Sequence, residues 1–112
     1  MISPPLAPQD RQAIAEFSGL VSKLLGNQLL RLALFGSKLE GKDTPGSDID
    51  LLILVKDQAW ALRDSIFDLA FQVNLKHGVY LSPRIVKEST YAHPVWSETP
   101  FLRKLKENTL SV

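Results

Sequence analysis

The sequence predicts an α+β domain, a small mixed β-sheet backed by helices. Three observations carry that prediction. Two segments, Asp10 to Leu25 and Gln58 to His77, repeat apolar residues at helical spacing. Two others, Leu29 to Phe35 ("LLRLALF") and Ile49 to Val55 ("IDLLILV"), are short, dense in apolar residues and bounded by turn signals, as buried strands are. The 112 residues are 45% hydrophobic and 22% charged, enough to build a core and too apolar for disorder. One domain over residues 1–112 is expected.

Each element has a local reason. In the first helix Ile14, Phe17, Val21, Leu24 and Leu25 share one stripe, and Gly26 with Asn27 stops it. Gly36 closes the first strand, and "DTPGS" turns the chain into the second. The long second helix takes Asp57 as its expected N-cap, buries Ala59, Leu62, Ile66, Leu69, Ala70 and Val73, and stops at Gly78. Val79 to Val86 ("VYLSPRIV") reads as a third strand, which Pro83 confines to an edge or a bulge. Short helices are expected from Glu88 to Val95 and from Glu98 to Lys106, the latter opened by Pro100. The tail "NTLSV" supplies a last strand.

Composition removes several function classes. Thirteen basic residues against twelve acidic ones leave a net charge of +1, so no overall field recruits nucleic acid or a membrane surface. The chain has no cysteine, which excludes disulfides, thiolate nucleophiles and cysteine-bound zinc. His77 and His93 are too few for a histidine-rich metal site, and His77 is read as a helix-end residue favoured by the dipole. No apolar run is long enough to span a bilayer and no leader is seen, so a cytoplasmic protein is expected. Trp60 and Trp96 read as half-buried packing, and the lysines and arginines near the C-terminus as a solvated surface.

The chemistry concentrates between the first two strands. Gly36 to Lys42 ("GSKLEGK") satisfies a phosphate-loop pattern, but Asp43 stands where a magnesium-binding hydroxyl is required, and Pro45 with Gly46 would break the helix that must follow. Period two offers a better account: Asp48, Asp50, Leu52 and Leu54 share one strand face, while Ile49, Leu51, Ile53 and Val55 share the other. Paired carboxylates at the mouth of a buried strand repel each other unless a cation lies between them, and magnesium prefers such hard oxygen ligands. Ten residues, Lys38 to Ser47, let the chain return antiparallel and set Gly36 and Ser37 beside Asp48 and Asp50. The serine hydroxyl and backbone amides there suit phosphate, and glycine allows the close approach.

Gly36, Ser37, ten residues and then Asp48-Ile49-Asp50 resemble the G-S-x10-D-x-D signature of the DNA polymerase beta-type nucleotidyltransferases. Chain length and the surrounding "LALFGSKLEGKDTPGSDIDLLILV" make the sequence most similar to their smallest branch, the minimal nucleotidyltransferases (MNT), prokaryotic proteins often paired with a HEPN-domain protein as antitoxin and toxin. The resemblance implies the palm-like nucleotidyltransferase fold, with Gly36 and Ser37 on the triphosphate and Asp48 and Asp50 on magnesium; Lys38 stands where relatives often have arginine and either touches phosphate or is an exposed surface lysine. It implies transfer of a nucleoside monophosphate from a nucleoside triphosphate, ATP first among them, to a hydroxyl of a partner protein. A hetero-oligomer with the HEPN-domain protein, or a homodimer, is compatible with it.

One feature departs from that family's pattern. Active members usually carry a third carboxylate on the next strand, and "VYLSPRIV" offers Tyr80, Ser82 and Arg84 on one face with no acid among them. Glu88 comes after the strand. Ser82 is the expected replacement, and Arg84 either neutralises phosphate or pairs with a surface acid. An alternative therefore stays open, in which the chain is a catalytically weak or inactive module of the same fold that neutralises its partner by binding. An antibiotic-modifying transferase is a third reading, disfavoured because a chain this short has no extra domain to hold the acceptor.

Overall fold

The computed structural model describes residues 7–35, 48–92 and 109–111. Helix α1 (Pro8–Leu25) begins two residues before the predicted Asp10, because proline is pre-organised for the first helical turn, where an N–H has no partner to lose. It ends at Gly26, whose φ of 56° suits a residue without a Cβ. After a 3-10 turn come β1 (Leu29–Phe35) and β2 (Ile49–Val55), both with the predicted bounds.

The long second helix is not continuous. A 3-10 segment (Asp57–Leu62) precedes α2 (Arg63–His77), and Asp57 does not cap it. Its Oδ1 instead accepts a hydrogen bond of 3.0 Å from the Ser89 N–H, in the first turn of α3 (Glu88–Ala92). A carboxylate from another element thus satisfies an N–H that lacks a partner within its own helix. Gly78, in the left-handed conformation, ends α2 as expected.

Strand β3 is Leu81–Lys87 rather than Val79 to Val86, because the turn leaving α2 takes up residues 78–80. Thr109–Ser111 forms β4, within the predicted tail. The expected helix from Glu98 to Lys106 lies outside the described residues, as do His93 and Trp96.

The sheet order is β3-β2-β1-β4. The β2–β1 and β1–β4 pairs are antiparallel, and β2–β3 is parallel, so the sheet is mixed. Pro83 sits on the edge strand, where its missing N–H leaves no ladder bond unmade. Between Leu29 and Arg31 the register slips, leaving Leu30 partly exposed at a bulge.

Period two divides the core. Ile49, Leu51, Ile53 and Val55 of β2 join α1 (Ile14, Phe17, Val21) and α2 (Ile66, Val73) in the larger cluster. On the opposite face Leu52 packs with Ala33 and Val86, flanked by Leu54 and Tyr91 of α3.

The two helices also meet through charge. Lys76 Nζ donates to Glu16 Oε1 at 2.7 Å, and His77 Nε2 lies 3.5 Å from the same oxygen without hydrogen-bond geometry. The Lys76 hydrogen bond holds the Glu16 carboxyl below the usual range, and the Ser89 N–H does the same for Asp57. A depressed carboxyl contributes stability that is present above its unfolded pKa and lost as pH falls through its folded pKa. Glu16→Gln should therefore lower the melting temperature slightly at neutral pH, the pair being exposed. The gap to the parent should narrow as the pH falls through and below the usual carboxylate range, as thermal unfolding across the pH series will show.

Candidate active site

Three strand ends meet at one end of the sheet. Phe35 is the last residue of β1, Asp50 the second of β2 and Ser82 the second of β3; the register sets Phe35 and Ser82 on either side of Asp50. Asp50 shares its parity with Leu52, so it faces away from α1 and α2. Asp48 is exposed just before the strand, in the same alternation. Ser82 is half-buried on that face, and Arg84, in register with Leu52, is exposed two residues further along it.

What fixes Ser82 beside Asp50 is a residue that sequence reasoning missed. Asn74, in the last turn of α2, accepts from the Leu81 N–H at 2.8 Å and donates Nδ2 to the Leu81 carbonyl at 3.2 Å. Its own carbonyl accepts from Gly78 and Val79 at 2.9 and 3.3 Å. Tyr80, the residue before the strand, receives the Ile49 N–H on its carbonyl at 2.8 Å, tying β2 to β3 at the first rung. An asparagine four residues before a helix-ending glycine was the available signal. Both hydrogen bonds are partly buried, so Asn74→Ala leaves two partly buried backbone groups without that partner and should cost about 1–3 kcal/mol in denaturant unfolding.

The Tyr80 side chain departs from the expected arrangement. Rather than facing the aspartates, it lines a groove with Phe71 and Leu75 at the end of α2, because the strand proper starts one residue later. Glu88 opens α3, six residues and about 20 Å beyond Ser82 along the strand direction, so it is no substitute for the missing acid. Among the described residues no group of three or more histidines, cysteines or carboxylates converges. Trp60, half-buried, has Arg63 at 5.5 Å and Lys87 at 5.4 Å from its ring centre. Lys87 pairs with Val55 at the opposite end of β2, so this cluster is not part of the site.

The donor set fits one hard divalent cation: the Asp50 carboxylate on the strand face and that of Asp48 two residues before it, with a hydroxyl in register and an arginine further along the face. Gly36, Ser37 and Lys38 lie outside the described residues. Phe35, immediately before them, stands beside Asp50.

Residues 14–107 match the nucleotidyltransferase domain family. The chain belongs to that family. Its members generally use a nucleoside triphosphate and a divalent metal. This nucleotidyltransferase domain is 35% identical to a candidate protein adenylyltransferase of Methanocaldococcus jannaschii, MJ0141, over 70% of this chain and 80% of that one. A second candidate protein adenylyltransferase of the same organism, MJ0604, is 32% identical over 79% of this chain and 85% of that one. A solved structure of a candidate minimal nucleotidyltransferase superposes with a TM-score of 0.52 at 23% identity, covering 93% of this chain and 96% of the other, which shows the α+β nucleotidyltransferase fold. No described helix is long and apolar enough to cross a membrane.

Proposed function

We propose that this nucleotidyltransferase domain transfers a nucleoside monophosphate from magnesium-bound ATP to a hydroxyl of a partner protein. The observation that carries the reading is the register that brings Asp50 between the end of β1 and Ser82, with Asp48 on the same alternation. The candidate protein adenylyltransferase relatives support a protein acceptor. The resemblance to MNT proteins supports a HEPN-domain toxin as that acceptor, with this chain as its antitoxin.

Asp48 and Asp50 would hold the magnesium, which supplies Lewis-acid neutralisation of the triphosphate when bound. Gly36 and Ser37, which follow β1 in sequence, would offer backbone amides and a hydroxyl to the phosphates, and Lys38 and Arg84 would add positive charge. The acceptor oxygen forms a bond to the α-phosphorus, the bond to the β-phosphate oxygen breaks, pyrophosphate leaves and the hydroxyl proton is lost to water.

Ser82 favours a second reading. Where a third carboxylate would complete the site, a neutral hydroxyl stands in register with Asp50; this weakens metal retention and points to slow turnover or to neutralisation by binding alone. Incubating the chain with labelled ATP, magnesium and the co-encoded protein, then weighing that protein, separates the readings. The expected result is slow addition of one adenylate, accelerated by Ser82→Asp. If neither chain changes the partner's mass, transfer is excluded and the binding reading stands; brisk addition by the parent would show that two carboxylates suffice.

A further inference from the structure

Helix α2 is apolar on two faces. Ile66, Ala70 and Val73 point into the core, while Phe67, Phe71 and Leu75 form a row at i, i+4 and i+8 on the outside. The outer row is 46%, 64% and 71% exposed, and Tyr80 beside it is 59% exposed. A helix apolar on both sides belongs to an interior, yet among the described residues only one side is covered. The exposed parts of these four side chains amount to roughly 450 Å². One side of a standard interface buries about 800 Å², around two-thirds of it apolar in homodimers. The row therefore supplies most of the apolar core that a stable dimer needs.

We propose that this face binds a second copy of the chain, the two α2 helices crossing antiparallel about a two-fold axis at Phe71. Phe67 and Leu75 lie four residues before and after Phe71, each about 6 Å along the helix, so Phe67 of one copy meets Leu75 of the other, as an isologous contact requires. The receiving surface exists: a groove of about 400 Å³ lined by Phe71, Asn74, Leu75, Gly78, Val79 and Tyr80 takes the phenyl ring of the second copy's Phe67.

Charge selects against a parallel arrangement. Asp64 is exposed in the first turn of α2, three residues before Phe67 and so on the row itself. Parallel helices would set Asp64 against the Asp64 of the second copy, whereas antiparallel helices crossing at Phe71 separate the two by about 21 Å along the helix.

Sedimentation of the whole chain at micromolar concentration should show a dimer. Phe71→Glu should weaken it at least about 30-fold, the loss expected of a central anchor, with an unchanged far-ultraviolet spectrum. Because the chain has no cysteine, single thiols report the geometry without interference, even should the glutamate variant fail to fold. Phe71→Cys should form a covalent dimer on air oxidation. Phe67→Cys alone should not, but should cross-link when mixed with Leu75→Cys. A monomer at all concentrations, a dimer that survives Phe71→Glu, or rapid cross-linking of Phe67→Cys alone would overturn the proposal. So would a monomer whose co-encoded protein binds through Phe71, which would assign the face to that protein instead.

Discussion

Asp48→Asn with Asp50→Asn is expected to abolish magnesium-dependent binding of ATP and to lower any nucleotidyl transfer by on the order of a thousandfold. The size follows from what the carboxylates do: a coordinated divalent ion contributes several kcal/mol of charge stabilisation to phosphoryl chemistry, and about 1.4 kcal/mol corresponds to tenfold in rate. Asparagine keeps the shape and hydrogen-bonding capacity of the side chain but loses the charge that holds the ion. Asp48 is exposed and Asp50 half-buried at the strand end, so the melting temperature in chelator should change little. Calorimetry with and without magnesium reads the first effect and thermal unfolding the second. If ATP binds the parent equally well without magnesium, the metal assignment fails. A large loss of stability in the double variant would make the aspartates structural.

Phe17→Ala is expected to destabilise the fold by about 3–5 kcal/mol, the range for removing a buried aromatic ring from a packed core. Phe17 is 0% exposed in the cluster that joins α1 to β2 and α2. Single domains are stable by only about 5–15 kcal/mol, so the loss should appear as a marked fall in the urea midpoint with an unchanged slope. Leu24, on the same helix but only partly buried, should cost less when truncated. Equal losses at the two positions would mean that α1 does not use the observed face.

Strands β1 and β2 were legible because central strands carry apolar residues on both faces, which leaves a dense run of fixed length. The alternation that separates Asp50 from Leu51 was legible for the same reason, since it depends only on backbone pleat. The start of β3 was not, because Val79 and Tyr80 are good strand formers whose backbone the turn at Gly78 had already engaged. Asp57 misled for a related reason. An aspartate before an apolar stripe is a natural N-cap, but α3, distant in sequence, supplies the N–H that its carboxylate accepts.

The candidate site divides along the same line. By itself the sequence singled out the candidate residues, the glycine and serine followed ten residues later by two aspartates, because that spacing is a local property of one short segment. Strand alternation made Ser82 the expected neighbour, and only the tertiary structure decided that it stands in register with Asp50. Lateral register across a parallel pair depends on where the crossover delivers the returning strand, and Asn74 sets that through hydrogen bonds to Leu81. The outward row of Phe67, Phe71 and Leu75 was likewise undecided in the sequence. A helix apolar on two faces does not say which of them the sheet will cover, and packing on α1 and β2 chose the face of Ile66 and Val73.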